Sequence, residues 1–304
     1  MALGLSIRVG KIFKHAIRIE IHCKSRDMFV ILNCKILNLR SRMMNFGTRF
    51  KNGLYMATQS FSMIWYQKKL LFYFGIPAFI TFFVRLLFQQ ESFKNFYQLM
   101  PSIVRVLAFM APAAITTFFT VALIYHAAKI MNGQQSTIKQ SLYQCFGKLS
   151  DIFAWMLPSI CVQLLIAYVA IYEGPFFGLI ALAIFMLLLL WGLYTFFVLP
   201  LITFKKQSLL ASIKDSTKMA KESLPEIMGG EFWFILVVML TAAPLIIYGV
   251  ATARHAFDPI FNFIVIFTSE IIINACISTA HTIFKTMLYL EQAKKHPELS
   301  LNTL

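Results

Sequence analysis

Glu270, Asn274, Ser278, His281 and Lys285 stand four, four, three and four residues apart towards the end of the chain, a spacing that puts all five on one face of an α-helix. A carboxyl, an amide, a hydroxyl, an imidazole and an amine in line can pass hydrogen bonds or protons from one to the next. The segment that carries them, Ile260–Phe284, is otherwise apolar. Glu270 stands about ten residues into it, near mid-membrane at about 1.5 Å per residue, where an ionisable side chain costs roughly 3 kcal/mol and so avoids lipid. One reading is a proton or solute path with Glu270 as its protonatable group. The other is a hydrogen-bonded seam holding this helix to its neighbours, with Ala275 and Ser278 small enough for close packing. The seam is favoured, because no other apolar segment supplies an obvious acidic or cationic partner at that depth.

Three further residues are possible partners. Arg85 and Arg105 flank an outer loop, where they could face anionic head groups or one could reach towards Glu270; snorkelling to the interface is the simpler account. His126 lies at a depth similar to His281 on a different segment. Two histidines are a weak metal signal, and an interhelical hydrogen bond suits them better. No Walker loop, dinucleotide fingerprint, zincin motif or nucleophile elbow occurs. The five cysteines are odd in number and lack CxxC spacing. No catalytic group, cofactor or metal is therefore expected, and the chain reads as a non-enzyme.

The elements that position these residues are membrane spans. Of the 304 residues 59% are hydrophobic and 13% charged, about half the charged share of a soluble domain. Phe176–Phe204 has no charged side chain and exceeds the roughly 20 apolar residues that a crossing helix needs. Similar runs lie at Leu70–Phe88, Ile103–Ala128, Ile152–Tyr172, Phe232–Thr252 and Ile260–Phe284. Three amphipathic stretches precede the odd-numbered spans: Ser60–Lys69, Ser136–Ser150 and Lys205–Glu226. In the second, Ile138, Leu142, Cys145, Phe146 and Leu149 form one helical stripe; in the first, Phe61, Ile64 and Trp65 share a face. Gly229-Gly230 is expected to break the third. These read as interfacial elbow helices in the membrane plane. The expected fold is an all-α polytopic bundle of six spans with three elbows; either it is built from three repeated elbow-plus-hairpin units, or the elbows only reflect that short cytoplasmic loops of membrane proteins tend to be basic and amphipathic.

Three regions follow: a basic arm at 1–55, disordered or an artefact of an early start codon; a six-span domain at 56–290; and a tail at 291–304. All but four of the 28 Lys and Arg precede span one, follow spans two and four, or lie at the C-terminal end. The positive-inside rule then puts both termini in the cytoplasm. The net charge of +15 is assigned to topology and to anionic lipid on the cytoplasmic side rather than to nucleic acid.

Ser60–Pro77, Gly133–Ser150 with Trp155, and Phe197–Lys218 resemble the corresponding parts of a family of uncharacterised bacterial six-span membrane proteins, similar in style to the membrane domains beside some glycerophosphodiester phosphodiesterases. The resemblance covers about four fifths of the chain. It implies the bacterial inner membrane and no activity. The function expected is a non-enzymatic module organising lipid or protein partners through its basic face; the alternative is a small transporter or channel using the polar stripe of the last span.

Overall fold

The computed structural model describes residues 46–89, 102–158, 161, 177–205, 207–254 and 259–295. Among them all regular structure is helical: α1 (Phe46–Tyr66), a 3-10 turn (Lys68–Leu71), α2 (Phe72–Gln89), α3 (Ser102–Met131), α4 (Ile138–Phe146), α5 (149–158), α6 (Phe177–Tyr194), α7 (Val198–Phe204), α8 (Leu209–Glu222), α9 (Leu224–Arg254) and α10 (Pro259–Lys295). Four stretches are long and apolar enough to cross a membrane: Met110–Met131, Leu182–Phe204, Leu224–Leu245 and Ile271–Lys295. The described part of the chain is all helical and has the build of a membrane protein. Residues 1–45 and most of the expected third span lie outside the described residues.

Beside a buried apolar core, large apolar side chains are also exposed along the long helices. On α6, Leu182, Met186, Leu187, Leu189 and Leu190 are exposed, as are Ile235, Met239 and Leu240 on α9. A helix apolar on every side belongs in a core or in lipid, and exposure leaves lipid. The residues fully hidden include Ser60, Ser141, Ser212, Ser216, Thr279 and Thr286, the small hydroxylated residues that let membrane helices approach closely.

The elbows α1, α4 and α8 meet the ends of the spans. α4 lies on α3, α8 on α6 and α7, and α1 on α9 and α10, while α2, α3 and α10 pack together and α7 joins α3 to α10. Local sequence explains the starts of α4 and α8. Thr137 and Ser208 are N-caps whose hydroxyls accept from the Gln140 and Ala211 amides. One turn on, Ser141 and Ser212 donate back to the Thr137 and Ser208 carbonyls. The interval from Ser60 to Pro77 recurs from Ser141 to Pro158 and from Ser212 to Gly229, and all three serines are fully buried.

The structure differs from the sequence reading in three ways. First, the elbow stripes are divided. Ile64 and Cys145 are buried beside the elbow serines and Phe61, Ile138, Leu142 and Ile213 pack against the core, while Trp65, Phe146 and Leu210 are 77, 61 and 79% exposed. Secondly, Gly229-Gly230 breaks nothing. The elbow ends at Ser223, Pro225 stands in the first turn of α9, where its missing N–H costs nothing, and α9 runs on through both glycines. Thirdly, the fourth apolar run bends at Thr195–Phe197 and continues as α7 to Phe204. Ser216 on α8 satisfies the backbone freed there, donating to the Tyr194 carbonyl at 2.7 Å and accepting from the Phe197 amide at 3.0 Å. The first elbow is also longer than its signal and starts at Phe46, and α10 runs beyond Phe284 to Lys295.

Candidate functional site

The polar stripe lies on α10, where its members fall into two groups. Asn274 and Ser278 face a crevice of about 220 Å³ between α2, α3 and α10, and Thr81 of α2 and Thr116 of α3 complete its polar lining. Phe74, Pro77 and Ile271 form part of its apolar wall. Thr116 donates to the Pro112 carbonyl at 2.8 Å, whereas Thr81, Asn274 and Ser278 make no hydrogen bond to another described residue. Glu270 belongs to α10 one turn before Asn274; its side chain, like those of Arg85 and Arg105, lies outside the described residues.

His281 and Lys285 belong to the second group, and their acidic partner is Glu231. His281 Nε2 lies 2.7 Å from Glu231 Oε1, and Lys285 is within electrostatic reach of the same carboxylate. Aromatic rings surround them. Lys285 Nζ stands 4.8 Å from the centre of the Phe196 ring, a cation–π distance, and Phe234 meets His281 edge to face at 5.0 Å. Gly230 makes the arrangement possible, since a β-carbon there would overlap the Phe284 ring. Glu231 follows two glycines that read as a break, which is why no sequence signal placed it opposite α10. A carboxylate entering an apolar run at the end that also holds a histidine and a lysine is the sign that could have found it.

His126 is elsewhere. Its Nδ1 lies 3.2 Å from the Tyr73 hydroxyl of α2 and 3.1 Å from Ser141 Oγ of α4, so it joins α3 to both helices by hydrogen bonds. Among the described residues no three His, Cys, Asp or Glu side chains gather as a metal would require. Cys145 of the elbow α4 is buried, and desolvation pushes its thiol up to about 12; a thiol held neutral is a poor nucleophile and a poor ligand.

A third feature escaped the sequence because its cation stands in the unassigned basic segment. Arg49 of α1 forms a two-pronged pair with Glu226 of α9, Nε to Oε1 at 2.7 Å and Nη2 to Oε2 at 2.8 Å, and also donates to the Glu222 carbonyl. Glu226 is almost fully buried. Beside the pair, Gly53 meets the Glu226 backbone and Gly229 meets that of Phe50, each too closely to admit a β-carbon. The first elbow is therefore locked onto α9 by shape and charge together.

No protein-family model matches the chain, and no curated protein or solved structure matches it either. Its chemistry rests on these contacts. The His281–Glu231 pair can hold and orient a proton between two spans, the crevice can accept and donate neutral hydrogen bonds, and the elbows present cations and aromatic rings at one end of the bundle.

Proposed function

We propose that this chain is a non-enzymatic membrane module of six spans, with both termini and all three elbows on the cytoplasmic face of a bacterial inner membrane, where the elbows hold anionic lipid head groups. The observation that carries the reading is the outward face of the elbows. Trp65, Tyr143 and Leu210 are all more than 75% exposed, and Lys69, Lys139 and Lys214 are exposed on the same elements or at their ends. Lys68 lies 5.8 Å over the Trp65 ring. Rings at head-group depth with cations above them suit an interfacial helix on an anionic leaflet.

The six-span topology rests on the basic residues of the sequence and on the gathering of the elbows at one end. The test is reconstitution in nanodiscs of increasing phosphatidylglycerol content. Thermal stability of the native protein rises with anionic lipid, and the triple variant Lys69→Gln, Lys139→Gln, Lys214→Gln loses most of that gain. Equal stability in zwitterionic and anionic discs contradicts the reading.

A further inference from the structure

We propose that the crevice between α2, α3 and α10 is a hydrated binding site for a small uncharged polyol, entered from the elbow end of the bundle. This goes beyond the lipid role, which concerns the outer faces of the elbows and does not depend on the crevice.

The first support is the lining. Thr81, Thr116, Asn274 and Ser278 converge on one space of about 220 Å³ from three helices. Buried or lipid-facing polar groups normally pair with one another, yet three of these four have no hydrogen-bond partner among the described residues. Thr116 has spent its proton on the Pro112 carbonyl and keeps its acceptor capacity. An occupant that both donates and accepts meets all four.

The second support is the kind of polarity. Among the described residues, none of those lining the crevice carries a charge. An inorganic cation would call for carboxylates and an anion for lysine or arginine, so the lining fits a neutral molecule. Hydroxyls on adjacent carbons match three hydroxyls and one amide spread over the walls, and Phe74, Pro77 and Ile271 suit the carbon skeleton.

The third support is access. The side chains of Glu231 and His281 are 38% and 29% exposed. Facing lipid, an ionisable group is costly by roughly 3 kcal/mol, so water reaches this pair. Ser278 is one turn of α10 further in. The polar line His281, Ser278, Asn274 thus leads from a wetted pair into the crevice.

The experiment uses the full chain in vesicles with its native cysteines replaced. Single variants Ser278→Cys and Thr81→Cys, from facing helices, are treated with a charged, membrane-impermeant thiol reagent and separately with a membrane-soluble maleimide. The expected result is labelling of both variants by the charged reagent. Glycerol then slows it, by about fourfold at three times its dissociation constant from simple occupancy, whereas sucrose at equal osmolarity does not. Labelling by the maleimide alone shows a lipid-filled groove and overturns the proposal. So does labelling that glycerol and sucrose slow equally, or that neither slows, and so does resistance to both reagents in folded protein.

Discussion

Nε2 of His281 and Oε1 of Glu231 lie 2.7 Å apart and form a polar link between α9 and α10, the two longest described helices. The pair ties the lower half of the α10 stripe to α9 through an acidic partner that spacing alone did not offer. Interhelical hydrogen bonds in membranes contribute about 0.6 kcal/mol on average and up to about 1.7. Glu231→Ala and His281→Ala each lower stability in detergent, and the double variant loses less than the sum of the two. A double-mutant cycle measured by denaturant unfolding checks this; strict additivity means that the pair does not interact.

The Arg49–Glu226 pair gives a larger effect, because it is buried on one side. Arg49→Leu strands a carboxylate that is 2% exposed, and breaking such a pair costs about 3–5 kcal/mol. Adding Glu226→Leu to Arg49→Leu restores most of the loss, since two apolar groups need no compensation. The unfolding midpoints of the single and double variants are the readout.

At the crossing of α1 and α9, Gly53→Ala places a methyl group against the Glu226 backbone. Overpacking of this kind costs about 1–3 kcal/mol. Gly47→Ala on the same helix meets nothing within 4 Å and is neutral or slightly stabilising. Comparing the two melting temperatures separates a close-approach role from a general intolerance of change in α1.

The thiol of Cys145 reports on elbow docking. Its folded value is raised from 9 to about 12 by burial, so the unfolded thiol loses its proton first as pH rises. The stability linked to this group is complete below about pH 9 and falls above it. Cys145→Ser flattens the alkaline limb of the stability curve. At neutral pH the native Cys145 resists maleimide until the protein is unfolded.

Much of this structure was legible because bilayers impose a long apolar period that short-range context cannot disguise. Phe176–Phe204 announced itself by lacking charge, and the N-caps Thr137 and Ser208 stand where the elbow signals begin. Orientation of the elbows was not legible. A hydrophobic stripe on an interfacial helix can face either lipid or protein, and here it is shared: Ile64 and Met219 are buried with the serines while Trp65 and Leu210 are exposed. Gly229-Gly230 misled for a related reason: within a membrane bundle glycine more often marks contact than a break, and only the positions of Phe50 and Phe284 distinguish the two. Glu231 and Arg49 were hidden because each pairs with a residue far along the chain, a relation that spacing does not encode.

The lipid role carries an ionic-strength signature. Exposed lysines are screened at a Debye length of about 8 Å in physiological salt and about 3 Å at 1 M. The stabilisation by phosphatidylglycerol therefore shrinks as salt is raised, whereas the cost of Gly53→Ala does not change. Nanodisc melting at two salt concentrations tests it.

The central claim is that α1, α4 and α8 lie together on the cytoplasmic face. Single cysteines replacing Trp65, Tyr143 and Leu210, in a chain otherwise free of cysteine, are probed with an impermeant thiol reagent on intact cells and on inverted membrane vesicles. All three are labelled in the inverted vesicles and none on intact cells. Labelling of any one of them from outside contradicts the account.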